Sequence, residues 1–482
     1  MISRNASAAS VRRHDLAVIG GGIHGAQLAL AASQRGLKVL LLEAADFGSG
    51  ASGNSLRILH GGLRYLQSAD LPRFYESVAE RRWHAQSFPD LVEPLACLMP
   101  LYAQGLKRRS VMRIALKAND LLSRHRNDAL DEKLRLPASD TFSVAETVNR
   151  FPLVRQAGLE GSAQWYDYFM RSSERILIET IRRACALGAQ ALNYTRVVAL
   201  RTDGGRVTGL VAEDRLSGQR HEFLAEQICN CGGSGARALS AAVDRDFREL
   251  FVPSLAFNVL FECAPLGPNG LAVAAPEAGA PVYFLCPSPL GIWAGTEHVA
   301  RPESCADSAV QESEIAAFMQ SINRAIPSVN LTLNKVRHVC SGLLPVSRAQ
   351  SVDLTGREAI IDHGRRGGIK GLYSATGIKF TTARKVAAKV LDAIVGADAS
   401  ALPPQAPVPT PLSAHTRQLA DGASAEQMPE AAIVALVRAV AAEEAVTSAD
   451  DFCLRRTNWI FTARDYGRLR RLAAAALLME AA

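Results

Sequence analysis

The sequence predicts an α/β chain with three parts: a Rossmann-like dinucleotide-binding domain, an antiparallel β-sheet domain and a small C-terminal helical cap. Three observations carry this reading. Near the N-terminus, "VIGGGIHG" stands between an apolar run and an alanine-rich stretch, the pattern of a strand, a glycine turn and a helix. Residues 246–335 alternate β-rich runs such as "LAFNVLFECA", "PVYFLCP" and "LGIWAGTEH" with turns, which suits an antiparallel sheet. "GADASALPPQAPVPTPLSAH" then interrupts the chain with prolines and small residues before two helical stretches.

The first unit is justified residue by residue. Leu16 to Ile19 read as a short buried strand, Gly20-Gly21-Gly22-Ile23-His24-Gly25 as a tight turn, and Ala26 to Gln34 as a helix ended by Gly36. Lys38 to Leu42 form a second strand, closed by Glu43. Gly20 permits the turn, Gly22 lets backbone approach a pyrophosphate at the positive helix end, and Gly25 allows close packing of helix on strand. Glu43 at the end of the second strand suits the hydroxyls of an unphosphorylated adenosine ribose, which favours FAD or NAD over NADP. A small-residue loop, Gly48 to Asn54, then leads to His60-Gly61-Gly62 instead of further strand and helix repeats. Such a loop lies well along an extended dinucleotide.

Further along, Leu71 to Ser87 read as a long helix, and "ERILIETIRRACALGAQALN" as a helix running into a strand. "RVVALRTDGGRVTGLVAEDRLSGQRHEFLAEQICNCGG" reads as hairpin strands followed by a buried strand ending at Gly232-Gly233. "GLYSATGIKFTTARKVAAKVLDAIVG" supplies a last strand, a glycine turn and a helix. The expected organisation is a discontinuous cofactor domain over 14–245 and 336–398, a sheet domain over 246–335, a linker over 399–412 and a helical cap over 413–482.

Composition narrows the class. The 482 residues are 48% hydrophobic and 21% charged, the profile of a globular enzyme with two or three cooperating domains. Nine scattered cysteines without a C-x-x-C pair suggest neither a disulfide framework nor a metal site. No apolar run is long enough to span a bilayer, and "MISRNASAASVRRHD" lacks a signal-peptide core, so a cytoplasmic protein is expected. A net charge of +7 favours anionic ligands or an anionic membrane surface, and nothing interleaves basic and aromatic residues as a nucleic-acid surface would. In "LKRRSVMRIALKANDLLSRHR", Val111, Ala115, Ala118 and Leu122 share one helical face, with Lys107, Arg113, Lys117 and Arg124 largely on others. That face either rests on a membrane or packs on its own domain.

"ILHGGLRYLQ" after a small-residue loop resembles the signature of the flavin-dependent glycerol-3-phosphate dehydrogenases, within the wider D-amino-acid-oxidase-like flavoproteins. Trp165-Tyr166-Asp167-Tyr168 is similar to the family's "YYDY", Gly377-Ile378-Lys379-Phe380-Thr381-Thr382 to its late G-K-x-T-T segment with one residue inserted, and "EEAVTSADDFCLRRTNWIF" to its C-terminal helical region. The resemblance implies FAD as cofactor, the antiparallel sheet as substrate domain, and oxidation of a small hydroxylated substrate by hydride transfer to flavin N5. Glycerol 3-phosphate to dihydroxyacetone phosphate is the family reaction. Quinone is the implied electron acceptor, with peripheral membrane contact at the inner face of the cytoplasmic membrane, and a homo-oligomer is compatible with it. It also implies that His60, Gly61 and Gly62 sit against the isoalloxazine, the glycines leaving room for backbone approach; a lone His60 would otherwise read as a hydrogen-bonded core histidine. Ser52, Val198, Gly233, Gly377, Lys379, Phe380 and Thr381 become cofactor neighbours, although Val197 and Val198 equally fit ordinary strand core. The last helix would point its N-terminus at the flavin ring, where it favours negative charge.

Oxidising a secondary alcohol needs a base for the hydroxyl proton and cations for an anionic end. Lys379 falls at the family's active-site lysine, and Arg357 in "LTGREAIID" at a substrate-binding arginine, unless it is a surface charge. With His60 and Asn54 they complete the candidate catalytic set. Two family arginines are missing: Ser52-Gly53-Asn54-Ser55-Leu56 stands in place of S-S-R-S-S, and Ser341-Gly342-Leu343-Leu344-Pro345 in place of S-G-x-R-P. Phe257-Asn258 occupies the region of a family histidine. At about 1.5–3 kcal/mol per charge-assisted contact, two losses weaken phosphate binding roughly a hundredfold or more. Arg57 and the Arg64-Tyr65 pair are the local residues that could rebuild an anion site. An amine or amino-acid oxidase that uses oxygen, and a flavin-binding protein without chemistry, remain the alternatives.

Overall fold

The chain folds around two β-sheets, and the computed structural model describes residues 1–102, 108–277, 279–396 and 422–478. The first sheet has eight strands. Its parallel heart runs Leu372–Thr376, Arg220–Asn230, Arg13–Ile19, Val39–Leu42 and Gln190–Leu192. Ala359–Asp362 closes one edge antiparallel, and the hairpin Thr195–Asp203 and Arg206–Asp214 folds back onto Arg220–Asn230. The central strands are apolar throughout because helices cover them. Ile23–Gln34, Ser173–Ala186 and Ala383–Val395 pack there, with Leu28, Ile178, Val386 and Val390 in one core against Val18 and Leu41. The first helix begins three residues earlier than its sequence pattern indicates, at Ile23, because Ser52 Oγ accepts the Ile23 amide at 2.9 Å and supplies the cap that Gly22 lacks.

The second sheet has nine strands in the order Val336–Pro345, Pro253–Glu262, Gly291–Ala300, Val282–Ser288, Gly270–Ala274, Val92–Leu101, Gly161–Met170 and Ile58–Leu59, with Asp140–Phe142 also on Gly161–Met170. It therefore reaches beyond the span 246–335 on both sides. Ile58–Leu59, Val92–Leu101, Asp140–Phe142 and Gly161–Met170 come from the stretch read as cofactor domain, and Val336–Pro345 pairs with Pro253–Glu262 from Pro253 to Phe261. Strand partners are fixed by long-range packing, which local sequence does not encode. Helix Glu312–Ala325 covers the inner face, where Phe318 meets Phe257 with ring centroids 5.6 Å apart.

The linker 399–412 and residues 413–421 lie outside the described residues. The C-terminal helices Glu430–Glu444, Trp459–Thr462 and Tyr466–Leu478 build their own core around Phe452 and Trp459. Buried ion pairs fasten them to the first domain: Asp46 receives both Arg456 Nη atoms at 2.8 Å and Arg455 at 2.6 Å, and Arg175 bridges Glu179 and Glu444. Helix Arg109–Leu122 buries Met112 and Leu116, not the face expected, against Leu101, Ala163 and Trp165. Ile114 and Leu121 point outward. Among the described residues no helix is long and apolar enough to cross a membrane.

Candidate active site between the two sheets

A cavity of about 570 Å³ runs from the carboxyl ends of the parallel strands to the second sheet. At one end it is lined by Gly20, Gly22, Glu43, Thr195 and Val197, and at the other by Asn54, Leu56, Asn258, Thr296, Leu344 and Lys379. The glycine turn is shaped for a close approach. Gly20 has φ +103° and a Cβ there would lie 2.5 Å from the Cys231 carbonyl; a Cβ on Gly25 would lie 1.9 Å from the Gly20 carbonyl. Only glycine lets the helix and the strand meet there. Glu43, half-buried beside the turn, accepts the Gly21 amide at 2.6 Å and the Ala45 amide at 2.8 Å. Burial pushes its carboxyl pKa up, against the pull of those amides. Ser52, Gly233, Gly377 and Phe380 also line the cavity. These features fit an extended dinucleotide, with a glycine-built anion cradle, a ribose-facing carboxylate and room for a ring system at the sheet-facing end.

Several expected positions lie elsewhere. Val198 is turned to solvent and does not line the cavity, whereas its neighbour Val197 does, because strand residues alternate faces. Thr381 is buried outside the lining. His60, Gly61 and Gly62 are absent from it as well. Their glycines make room for protein: a Cβ on Gly61 would lie 2.1 Å from Arg81 Nη1, and one on Gly62 2.8 Å from Ser77 Cβ. The buried Asp167 organises this corner, accepting from His60 Nδ1 (3.0 Å), the Gly61 amide (2.7 Å), Arg81 Nη1 (2.8 Å) and Trp165 Nε1 (3.2 Å). Burial alone would raise its pKa, but the His60 hydrogen bond and the His60 and Arg81 charges hold it down at about 2. Arg57 rebuilds no anion site. It is buried, donates Nη2 to both carboxylate oxygens of Glu174 at 2.8 and 3.0 Å, gives Nη1 to Asn458 and stacks over Phe461.

Lys379 lines the cavity with no carboxylate partner among the described residues; its ammonium lies 4.3 Å from the Tyr65 ring centroid. Burial, with help from the charge of Arg64, lowers its pKa to about 8. Arg357 is exposed and faces a neighbouring cavity, which shares Lys379 with the first. Asn54 turns its amide to the Gly50 carbonyl at 2.8 Å, closing the small-residue loop, and its own carbonyl accepts from Asn258. Asn258 also accepts from Thr296 at 2.8 Å, so its alternate-facing neighbour Phe257 serves the core while Asn258 serves the cavity. Sequence reasoning missed His24. Its Nε2 is buried without a hydrogen-bond partner among the described residues, a Cβ on Gly377 would lie 2.4 Å from it, and burial lowers its pKa to about 4. It joins the first glycine turn to the last one, a contact across 353 positions that no local signal announces.

Comparison with known proteins agrees with this architecture. Residues 15–390 match the FAD-dependent oxidoreductase family, and the chain belongs to that family. Within it, the chain is related to glycerol-3-phosphate dehydrogenases. It is 27% identical to the glycerol-3-phosphate dehydrogenase of Synechocystis over 83% of this chain and 73% of that one. It is also 27% identical to the aerobic glycerol-3-phosphate dehydrogenase of Bacillus subtilis over 80% and 67%. The fold is shared with the glycerol-3-phosphate dehydrogenase of Bacillus halodurans complexed with FAD, at TM-score 0.67 and 19% identity over 98% of this chain and 96% of that one. It is also shared with glycine oxidase from Bacillus cereus, at TM-score 0.54 and 18% identity over 80% and 95%. The chain is thus an FAD-dependent oxidoreductase of the kind acting on CH–OH donors.

Proposed function

We propose that the protein oxidises a small hydroxylated substrate, with Lys379 accepting the hydroxyl proton. The observation that carries this is the placement of Lys379: an amine without a counter-ion among the described residues, half-buried at the sheet-facing end of the cofactor cavity, whose pKa is lowered to about 8, so that it sheds its proton far more readily than an ordinary lysine. Bound FAD supplies the hydride acceptor. Gly20, Gly22, Ser52, Glu43, Gly233, Gly377 and Phe380 would hold it. Asn258 and Thr296, hydrogen-bonded to each other, present polar atoms across the cavity, while Leu56 and Leu344 keep that wall dry. Glycerol 3-phosphate is the substrate the relatives' names point to. The cavity wall carries Asn54 and Leu344 where cations would clamp a phosphate, which favours a donor held differently.

Quinone is our proposed electron acceptor, with peripheral contact at the cytoplasmic membrane face; the outward Ile114 and Leu121 beside Arg113 and Lys117 support such a contact. The test is anaerobic. The FAD-loaded protein is mixed with glycerol 3-phosphate, glycerol, glycolate and glycine while the flavin absorbance is followed, with dithionite as control. Bleaching by a hydroxylated donor is the expected result. Bleaching by glycine alone, with peroxide formed once oxygen is admitted, would replace this reading with the amino-acid oxidase that the glycine oxidase fold relative exemplifies.

A further inference from the structure

Behind the cofactor cavity, the strand ends that line it are tied together by a chain of polar side chains. His363, just past the edge strand Ala359–Asp362, meets Asp244 through Nδ1 at 2.7 Å and Ser374 through Nε2 at 2.9 Å. Ser374 Oγ lies 2.8 Å from Ser240 Oγ on helix Ala236–Ala241. Asn230 Nδ2 donates to Ser240 Oγ at 2.9 Å and to the Ala236 carbonyl at 2.8 Å, and Asn230 Oδ1 accepts the Gly232 amide at 3.1 Å. His363, Ser374, Ser240 and Asn230 are all buried. Asp244, His363 and Ser374 stand in the order of a hydrolase's acid, base and nucleophile, yet Ser374 is fully buried and does not line the cofactor cavity, so no ester reaches its hydroxyl.

The chain runs in one direction. A carboxylate only accepts, so Nδ1 carries the ring proton. Burial lowers the His363 pKa, which leaves Nε2 unprotonated near neutrality and ready to accept from the Ser374 hydroxyl. Ser374 then accepts from Ser240, and Ser240 from Asn230. The Ala236 carbonyl only accepts and the Gly232 amide only donates, which fixes Asn230 against a flip. Asn230, Gly232 and Gly233 line the cofactor cavity, so the amide that Asn230 holds sets the entry of a second glycine turn, residues 232–235, beside it.

We infer that His363 is a positioning residue for the cofactor: relayed through Ser374, Ser240 and Asn230, its Nε2 fixes the second glycine turn in the shape that receives FAD. Asp244 orients the ring, and an acceptor at Nε2 is the requirement. A donor there would turn the Ser374 hydroxyl onto Ser240, whose own hydroxyl hydrogen has no other acceptor among the described residues. This role holds whatever donor reduces the flavin.

The experiment titrates FAD into apo-protein, followed by quenching of flavin fluorescence, with thermal unfolding of the FAD-free form as a separate readout. Asparagine and glutamine divide the imidazole between them: the amide of His363→Asn reaches the Nδ1 position, and that of His363→Gln the Nε2 position. His363→Asn and Ser240→Ala should each weaken FAD roughly tenfold, the equivalent of about one hydrogen bond. His363→Gln still accepts from Ser374 and should bind FAD within about threefold of wild type, although it loses the Asp244 contact and melts earlier. A residue that only props up the fold would move affinity and Tm together in both His363 variants. Wild-type affinity in Ser240→Ala, or affinities that do not differ between His363→Asn and His363→Gln, overturns the assignment. Ser240→Ala removes a single oxygen from a helix and decides the matter alone should a His363 variant not fold.

Discussion

Gly25→Ala strikes the cofactor cradle at its tightest point. The new methyl would sit 1.9 Å from the Gly20 carbonyl oxygen and 3.3 Å from Val18 Cγ1. Ordinary contact needs about 3.5 Å, so helix Ile23–Gln34 has to retreat by roughly 1.5 Å or the turn has to open. Such overpacking costs about 1–3 kcal/mol of stability. Its effect on the cofactor should be larger in proportion, because the helix N-terminus carries the amides that would face a bound pyrophosphate. Losing one charge-assisted contact of about 1.5–3 kcal/mol weakens FAD roughly 10- to 100-fold. The assay is quenching of flavin fluorescence as FAD is titrated into apo-protein, alongside thermal unfolding of the FAD-free form. Wild-type affinity in the variant, with an unchanged Tm, would refute the assignment of this turn to the cofactor.

Further expectations concern charge. If Lys379 is the base, flavin reduction should rise about tenfold between pH 7 and pH 9, since raising pH through about 8 frees the amine; Lys379→Arg should abolish the rise without releasing FAD, as read by anaerobic stopped flow. Glu174→Gln leaves buried Arg57 without its counter-charge and should cost about 3–5 kcal/mol, measured by urea unfolding. Asp167 has a depressed pKa, so its contribution to stability is full above the ordinary carboxylate range and lost as pH falls towards about 2. Asp167→Asn should therefore flatten the Tm-versus-pH curve below pH 4 and lower the plateau, because Arg81 stays buried beside it.

Local pattern made the cofactor half legible. The strand, turn and helix at Arg13–Gln34 and the helix Leu71–Ser87 follow from apolar periodicity and punctuation by glycine and proline. The second sheet was legible only in its middle, because Val92–Leu101 pairs with Gly161–Met170 and Gly270–Ala274 through contacts set by burial, not by neighbours in sequence. At the site, glycines were informative but not always about a ligand. Gly20 and Gly25 shape the cradle, while Gly61 and Gly62 yield space to Arg81 and Ser77. Arg57 likewise looks free in sequence, and its engagement depends on Glu174 and Asn458, 117 and 401 positions away. His24 was invisible for the same reason.

The most direct measurement is the anaerobic rate of flavin reduction by the hydroxylated donor that bleaches the protein fastest, compared with the same donor deuterated at its carbinol carbon, in wild type and in Lys379→Met. Alcohol oxidation at this cavity requires reduction that slows several-fold on deuteration and falls by orders of magnitude without Lys379. A flavin that dithionite reduces but no alcohol does, or a rate indifferent to both deuterium and Lys379, would contradict it.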